Sequence, residues 1–294
     1  MAGGSGFIGR ALIAEFVGSG SEVVVLSRSE SRNSEVRTVA WDGRRIGAWA
    51  QELIGASLVI NLSGASINQV WSDAAKKEIL LSRVETTRAI GAALAECDRP
   101  PGVWINSSAI GFYGDTGSFE VSEASPPGEG FLAETCAAWE AAVDEFDSAV
   151  RKVKMRTGVV LGRGGGALEQ LLRLTRLFLG GAAGSGRQFV SWIHLRDLVS
   201  MFSWAATEEE IIGPVNAVSP NPVTNSVFMR ELRSAVHRPW SPPAPAALVK
   251  LGARLAGTEG DLVLLSQRVF PQIAEAHDFP FAYPTLREAL ANLV

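Results

Sequence analysis

The sequence has 294 residues, of which 47% are hydrophobic and 20% are charged. This length suits one large α/β domain or a major domain with a smaller lobe, and the composition excludes an intrinsically disordered chain. The formal net charge is −4, and no long run of like charge gives a reason to expect binding to nucleic acid or to an anionic membrane.

Cysteine usage and hydropathy narrow the class of protein further. Cys97 and Cys136 are too few for a disulfide framework, and they lack the spacing of a metal site. The sequence shows no secretion signal at its start and no run of 18 apolar residues. We therefore expect a cytoplasmic protein without a bound metal, either a monomer or a homodimer, that acts on a small molecule.

The strongest local motif lies at the start of the chain. Gly3-Gly-Ser-Gly-Phe-Ile-Gly9 contains the patterns G-x-x-G-x-x-G and G-x-G-x-x-G, and it precedes a predicted helix at 10–19 and a predicted strand at 22–26. This order is typical of dinucleotide-binding folds, because glycines let the backbone approach a pyrophosphate while a helix N-terminus faces its negative charge. The alternative is a tightly packed turn that binds nothing.

The end of the next strand indicates which dinucleotide would bind. A fold that prefers NAD usually has Asp or Glu here to bond the ribose 2′-hydroxyl group. This sequence has Ser27 and Arg28, with Arg32 close behind. An arginine favours the 2′-phosphate of NADP, so we predict NADP as the cofactor. A solvated surface arginine is the alternative.

A central strand of about five residues should precede the glycine turn, yet only Met1 and Ala2 do so. We therefore expect the first strand to be missing from this sequence, and a sheet without it would leave backbone groups unpaired. We expect the strand to come from residues absent from this sequence or from a start codon upstream of Met1, and the sequence leaves both possibilities open.

Strands and helices continue to alternate along the chain. The pattern predicts a short helix at 48–54, a strand at 58–62, a long helix capped by Ser72 and ending near 97, a strand at 103–107, a helix at 131–146, a strand at 153–161, a helix at 167–179, a strand at 188–194 and a helix from 196 to about 206. Such alternation predicts an α/β fold with a doubly wound, Rossmann-like parallel sheet.

Four prolines between 239 and 245 mark a linker to a smaller C-terminal lobe. Beyond it, the sequence predicts two helices, an extended piece at 279–283 and a closing helix. We divide the chain into an NADP-binding domain at 1–238, in which 163–238 contributes to a substrate cleft, and a small lobe at 239–294.

Short strings along the whole chain resemble the extended short-chain dehydrogenase/reductase superfamily. They are most similar to an atypical family of the NAD-dependent epimerase/dehydratase type, with a small C-terminal domain, whose members are labelled nucleotide-sugar epimerase or cell-division inhibitor. The matching strings are Gly3–Gly9, Leu26-Ser-Arg28, Ile60-Asn-Leu-Ser-Gly-Ala65, Lys77-Glu78, Ser82-Arg83, Ser107-Ser-Ala-Ile-Gly-Phe-Tyr-Gly114, Trp139-Glu140, Arg156-Thr-Gly-Val-Val-Leu-Gly162, the run from Gly184 to Asp197 and Gln267-Arg-Val-Phe-Pro271.

This resemblance implies an NADP(H) site, residue by residue. The turn that would hold the pyrophosphate consists of Gly3, Gly4, Gly6, Phe7, Ile8 and Gly9. The remaining implied contacts are Ser27 and Arg28 at the 2′-phosphate, Leu62 and Ser63 on the adenosine side, Glu78 and Arg83 from the long helix, and Val160 at the nicotinamide half. For Glu78 and Arg83, an exposed helix face is an equal alternative.

The resemblance also implies a proton-transferring tyrosine and a lysine four residues later, with a serine from the preceding strand end. In this sequence Leu132 and Cys136 stand at the tyrosine and lysine positions. Leucine has no proton to transfer, and cysteine supplies no fixed positive charge. Ser108 keeps the serine position, unless a shift of one residue puts Ala109 there.

Other residues are candidates for the missing proton donor. Tyr113, in the loop after Ser108, is the first candidate, although packing over the cofactor is the alternative. Glu134 is the second, with a solvated helix face as the alternative. We expect His194 to bond backbone and Asp197 to help cap the following helix. The candidate cleft residues are Trp71, Phe131, Arg187, Gln188 and Trp192, with core packing as the alternative for the aromatic residues.

Two functions from different classes follow. The first is an NADP(H)-dependent oxidoreductase or epimerase-like enzyme of unassigned substrate, with a nucleotide sugar as a candidate. The second is an NADPH-binding sensor or interaction protein without turnover, which the absent Tyr–Lys pair favours. A role in cell division rests on family labels alone.

Overall fold

The computed structural model describes residues 1–28, 36–147 and 149–294. Its elements, in chain order, are α1 (Phe7–Gly18), β1 (Val24–Ser27), β2 (Arg37–Ala40), a 3₁₀ helix (Ala48–Leu53), β3 (Leu58–Asn61), α2 (Asp73–Ala95), β4 (Val103–Ala109), a 3₁₀ helix (Ile110–Tyr113), β5 (Glu120–Val121), α3 (Phe131–Asp144), β6 (Arg151–Thr157), β7 (Val159–Leu161), α4 (Gly166–Arg176), β8 (Phe189–Val190), β9 (Trp192–His194), α5 (Leu195–Thr207), β10 (Gly213–Ala217), β11 (Val223–Thr224), α6 (Asn225–Ala235), α7 (Ala246–Leu255), α8 (Asp261–Leu264), β12 (Arg268–Val269), α9 (Gln272–Ala276) and α10 (Leu286–Leu293).

A parallel sheet forms the centre of the fold, as the sequence predicts. β1 pairs with β2, while β3, β4, β6 and β10 pair in that order, and every one of these pairs is parallel. Ala2 joins the two groups, because it forms parallel bridges to Leu26 of β1 and Asn61 of β3. Met1 and Ala2 thus lie at the position of the central strand.

Helices cover both faces of this sheet, and the alternation along β4 shows why. Val103 and Ile105 point to the face covered by α1 and α5, whereas Trp104 points to the face covered by α2 and α3. All three side chains are buried. Successive strand side chains point to opposite faces, so the first three residues of β4, with both faces covered, are all apolar. The predicted doubly wound α/β architecture is therefore confirmed.

The predicted strand at 153–161 is two strands in the structure. β6 ends at Thr157 and pairs with β4 and β10, whereas β7 begins at Val159 and pairs with β9. Gly158 separates them, and a Cβ atom on it would lie 2.7 Å from the carbonyl oxygen of Ser191. The backbone therefore changes partner where only glycine allows so close an approach.

The C-terminal residues pack tightly against the rest of the chain. α10 buries Leu286 and Leu290 in one apolar cluster with Trp192 and Phe228 of the preceding region. β12 also pairs in parallel with β5, which precedes α3. The proposed division between 238 and 239 stays a prediction.

The capping residues of α2 and α5 can be compared with those that the sequence predicts. The Ser72 side chain accepts a hydrogen bond from the Ala75 amide, so its predicted role as the N-cap of α2 is confirmed. His194 bonds backbone, as expected, and its Nδ1 atom caps α5 by accepting from the Arg196 amide at 3.0 Å. The capping role expected for Asp197 is wrong, because its carboxylate accepts from the amides of Ala282 and Tyr283, each at 2.9 Å.

None of the helices in the described ranges is long and apolar enough to cross a membrane.

Candidate functional site

The carboxyl ends of the central strands bring the cofactor candidates to one edge of the sheet. Ala2 lies opposite Leu26 and Asn61, so the residues that follow them, Gly3, Ser27 and Leu62, emerge side by side. In open α/β sheets, ligands bind in the crevice at this edge. Residues far apart in the sequence thereby form one rim.

Gly3 lies against the backbone of the two residues that follow β3, Leu62 and Ser63. Its φ angle is +76°, and a Cβ atom on it would lie 2.8 Å from the Leu62 carbonyl carbon and 2.9 Å from the Ser63 nitrogen. α1 begins after Gly6, and no side chain within the described residues caps that end. The amide groups of the first turn therefore remain available to an anion, as a dinucleotide pyrophosphate requires.

The other residues of the turn have different roles. A Cβ atom on Gly4 would lie 3.0 Å from the Val25 side chain, and one on Gly9 would lie 2.6 Å from the Gly4 carbonyl oxygen. These two glycines thus allow α1 to pack closely on the sheet. Ile8 is partly buried and packs against the apolar core beneath α1.

Phe7 connects the turn to the opposite wall of the cleft. Cβ atoms on Gly162, Gly165 and Gly166 would each lie between 2.6 and 3.2 Å from its ring, so the ring packs flat against this glycine-rich loop. A Cβ atom on Gly166 would also lie 3.2 Å from the Val160 carbonyl oxygen. Phe7 and Val160 are therefore brought to the same side of the cleft.

Arg28 directly follows β1 and is exposed at the same edge of the sheet. Arg32, the second arginine of the sequence prediction, lies outside the described residues. Glu78 is exposed on α2, and no contact described in the structure joins it to the other candidates. Its place in the site stays a prediction.

Arg83 of α2 points into the cleft beside β3. Its Nη1 atom donates to the carbonyl oxygens of Ala65 and Ile79, at 3.0 and 2.9 Å. Its guanidinium carbon lies 5.1 Å from the centre of the Trp139 ring, and a Cβ atom on Gly64 would lie 3.0 Å from it. Burial lowers the pKa of this guanidinium below its usual value. Arg83 is therefore half-buried and fixed by these hydrogen bonds, and it is not part of an exposed helix face.

Two buried asparagines were missed by sequence reasoning. Asn61 and Asn106 are fully buried at opposite positions of β3 and β4, and the Asn61 amide donates to the Asn106 side-chain oxygen at 2.8 Å. The Asn61 oxygen in turn accepts from the Ser63 amide at 3.0 Å. The pair fixes the loop that begins with Leu62 and Ser63. The sequence signal for them was a polar residue directly after each of the apolar runs at 58–60 and 103–105.

The two catalytic candidates belong to one buried polar network. Ser108 donates to Glu140 Oε1 at 2.7 Å, and Glu140 forms a two-pronged ion pair with Arg156 at 2.8 Å. The Arg156 Nη1 atom also donates to the Tyr113 hydroxyl oxygen at 2.8 Å, and that hydroxyl donates to Asn216 at 2.7 Å. Burial raises the pKa of Tyr113 to about 12, although Arg156 acts in the opposite direction. The catalytic roles of Ser108 and Tyr113 stay predictions, and these contacts favour a positioning role.

The positions expected for the Tyr–Lys pair lie together beneath the 3₁₀ helix at Ile110–Tyr113. A Cβ atom on Gly111 would lie 3.3 Å from Leu132 and 3.5 Å from the Cys136 sulfur. Burial raises the pKa of the Cys136 thiol to about 12, so it is neutral near pH 7. Glu134, the other candidate donor, is exposed on α3.

A cavity of about 460 Å³ opens beside Leu132. Trp71 and Phe131 line it, as predicted, with ring centres 5.1 Å apart in an edge-to-face arrangement. The placement of Gln188 and Trp192 in the cleft is wrong. Gln188 is buried and donates to the Ala183 carbonyl, and Trp192 is fully buried in the core. Arg187 is exposed and is not among the lining residues of the cavity.

The full set of cavity-lining residues joins the sheet edge to the C-terminal region. It comprises Trp71, Gly111, Gly114, Asp115, Glu129, Gly130, Phe131, Leu132, Ala246, Lys250, Asp261, Leu264, Leu265 and Gln267. The described parts of the chain contain no cluster of His, Cys, Asp or Glu side chains suited to a metal ion.

Comparisons with known proteins identify relatives over the whole chain. The model of the NAD dependent epimerase/dehydratase family matches residues 1–217, and that of a domain of unknown function, DUF1731, matches residues 244–293. Epimerase family protein SDR39U1 of Bos taurus is 36% identical over 298 residues, which cover 99% of this chain and 98% of that protein.

Two solved structures are also similar. The crystal structure of human epimerase family protein SDR39U1 (isoform 2) with NADPH has a TM-score of 0.89 and 33% identity, covering 99% of this chain and 97% of that chain. A nucleoside-diphosphate sugar epimerase from Corynebacterium glutamicum has a TM-score of 0.80 and 33% identity, covering 99% of this chain and 56% of that chain.

The buried ion pair should dominate the stability of this region. Replacing Glu140 with Gln leaves the Arg156 charge without its carboxylate, and we expect a loss of about 3–5 kcal/mol in the free energy of unfolding. Glu145→Gln, at the C-cap of the same helix, is the matched control because its partner Arg88 is exposed, and we expect a loss below about 1 kcal/mol. Urea denaturation of both variants measures the difference. Equal losses would show that the network does not carry the stability assigned to it.

Proposed function

The chain belongs to the NAD-dependent epimerase/dehydratase family, and we propose that it binds NADPH and acts as an oxidoreductase or epimerase-like enzyme on a small molecule. The observation that carries the proposal is the close approach of Gly3 to Leu62 and Ser63, where a side chain would collide with their backbone, together with the uncapped start of α1. A similar human protein was crystallised with NADPH, which supports the choice of cofactor.

Different residues of this cleft bind different parts of the cofactor. The turn from Gly3 to Gly9 and the first amides of α1 hold the pyrophosphate, and Arg28 pairs with the 2′-phosphate. Leu62 and Ser63 line the adenosine side, while Phe7 and Val160 form the wall at the nicotinamide half. Arg83, held beside Gly64, supplies a fixed positive charge to an oxygen of the cofactor. When bound, NADPH supplies a hydride from its nicotinamide ring.

Transfer of the proton that accompanies the hydride is the slow step of the proposed reaction. Leu132 cannot supply it, and the neutral, buried Cys136 provides no positive charge beside it. Tyr113 and Ser108 stay the candidates, with Tyr113 held by Arg156 and Asn216. General acid–base catalysis contributes about 10²–10⁴-fold, so its absence leaves a slow enzyme.

The second candidate function is an NADPH-binding sensor or interaction protein without turnover. The same observation at Leu132 and Cys136 favours it, because the cofactor cleft is retained while the usual proton-transfer pair is not. A cytoplasmic location and a monomeric or homodimeric state belong to the proposal in either case. Turnover measured with saturating NADPH separates the two functions.

Gly3→Ala tests the cofactor cleft directly. Gly20→Ala is the matched control, because Gly20 also has a positive φ of +84° but has open space around its Cβ position. Both variants carry the backbone cost of that conformation, about 1–2 kcal/mol. We expect the Kd for NADPH to rise at least about tenfold in Gly3→Ala alone, as measured by fluorescence titration of folded protein. A folded Gly3→Ala variant with unchanged affinity would contradict the assignment.

Arg28 should make the protein prefer NADPH to NADH. A charge-assisted contact contributes about 1.5–3 kcal/mol, or about ten- to a hundredfold in affinity. We expect Arg28→Ala to lose this factor for NADPH and to leave the affinity for NADH unchanged, so that NADH is the internal control. Titration calorimetry gives both values. Equal affinities of the wild type for the two cofactors would overturn the assignment.

Tyr113→Phe tests the remaining proton donor. Substrates of ordinary superfamily members should be turned over slowly, and we expect Tyr113→Phe to reduce that turnover about 10²-fold or more with NADPH affinity intact. Tyr283→Phe, which changes the only other tyrosine, is the control. Absorbance of NADPH measures the rates, and thermal unfolding reports any separate structural effect. Turnover that survives Tyr113→Phe, Ser108→Ala and Glu134→Gln would place the catalytic site elsewhere.

A further inference from the structure

We propose that the cavity beside Leu132 binds a flat, ring-containing substrate that is neutral or positively charged, and that it disfavours a nucleoside diphosphate sugar. This inference deepens the proposed function and rests on it for the adjoining cofactor. Its evidence is the shape of the apolar wall and the signs of the charges around the cavity.

The apolar wall is suited to a ring. Trp71 and Phe131 meet edge to face at 5.1 Å, so together they form a corner against which a flat molecule can pack. Leu132 and Leu264 extend the same apolar lining. At about 460 Å³, the cavity lies within the range of sites for single small molecules. The loss of a tyrosine hydroxyl at Leu132 makes this wall more apolar than the sequence family implies.

The charges of the lining residues oppose an anionic ligand. Asp115, Glu129 and Asp261 line the cavity, and Lys250 is its one cationic side chain among the described lining residues. The Lys250 ammonium lies 2.7 Å from Asp261, so its charge is already paired. Lys76 lies outside the lining, 5.5 Å above the Phe131 ring. Even with Lys76 included, three carboxylates face two ammonium groups.

A diphosphate requires the opposite arrangement. Proteins bind phosphate groups mainly with arginine forks, lysines and uncapped helix N-termini. None of the described residues that line this cavity is an arginine. The N-terminus of α3 does open at Gly130, but Glu129 precedes it and Glu134 lies in its first turn. Two full negative charges there outweigh the partial positive charge of about +0.5 at a helix N-terminus.

Three probes that share a naphthalene ring and differ in charge test the proposal. These are 2-naphthylmethylamine, which is cationic at pH 7, neutral 2-naphthalenemethanol and anionic 2-naphthyl phosphate. UDP-glucose serves as the nucleotide sugar. Titration calorimetry of the full chain saturated with NADPH should show the amine and the alcohol binding at least about tenfold more tightly than the phosphate, a difference of about 1.4 kcal/mol. UDP-glucose should bind more weakly than the alcohol.

Three variants assign the effects to residues. The double variant Asp115→Asn with Glu129→Gln should reduce the preference for the amine over the phosphate at least about threefold, because it removes two lining carboxylates that form no ion pair with any of the described residues. Trp71→Ala should weaken all three naphthalenes together. Trp240→Ala is the matched control, since Trp240 is 66% exposed and does not line the cavity.

The outcomes separate this proposal from the proposed function. Tighter binding of the phosphate or of UDP-glucose than of the alcohol would overturn the charge argument, and equal binding of the three naphthalenes would do the same. NADPH is titrated separately without any probe. If NADPH fails to bind while the predicted order of probes holds in its absence, the cavity assignment stands and the cofactor assignment fails.

Discussion

A buried ion pair between Arg156 and Glu140 joins the parts of this protein that surround the site. Arg156 lies on β6 and Glu140 on α3, so the pair fixes the helix against the sheet. Ser108 at the end of β4 donates to the same carboxylate, and Tyr113 accepts from the same guanidinium. Both charges are buried, so removing either one would leave the other desolvated and without its counter-charge. The cavity wall at Phe131 and Leu132 is carried on the helix that this pair holds.

The cofactor cleft and the proposed reaction site therefore depend on different kinds of contact. The cleft is a backbone feature, in which Gly3 passes close to the end of β3 and the first turn of α1 is left uncapped. The region around the buried ion pair is instead held together by side-chain contacts, in which the polar groups bond mainly to one another. Such a division allows the cleft to persist while the residues of the usual Tyr–Lys pair are replaced by Leu132 and Cys136. Arg83, half-buried beside Trp139, donates to the Ala65 carbonyl oxygen in the loop that follows β3.

Several features could be predicted from the sequence because they depend on local patterns. The alternation of strands and helices predicted the doubly wound sheet, and Ser72 marked the start of α2. Other features were missed because they depend on pairing between distant segments. The break at Gly158 follows from contact with Ser191, and the cap of α5 by His194 leaves Asp197 to hold Ala282 and Tyr283. No local pattern distinguishes these partners.

The sequence by itself determined the glycine turn, the alternation of strands and helices and the residue types at the expected catalytic positions, since each is read from neighbouring residues. Only the tertiary structure decided where the polar side chains point. It placed Ser108 and Tyr113 in a buried network, opened Trp71 and Phe131 onto a cavity, and surrounded that cavity with Asp115, Glu129 and the Lys250–Asp261 pair. The physical reason is that burial and the pairing of charges are set by strand register and helix packing between segments that lie far apart in the chain.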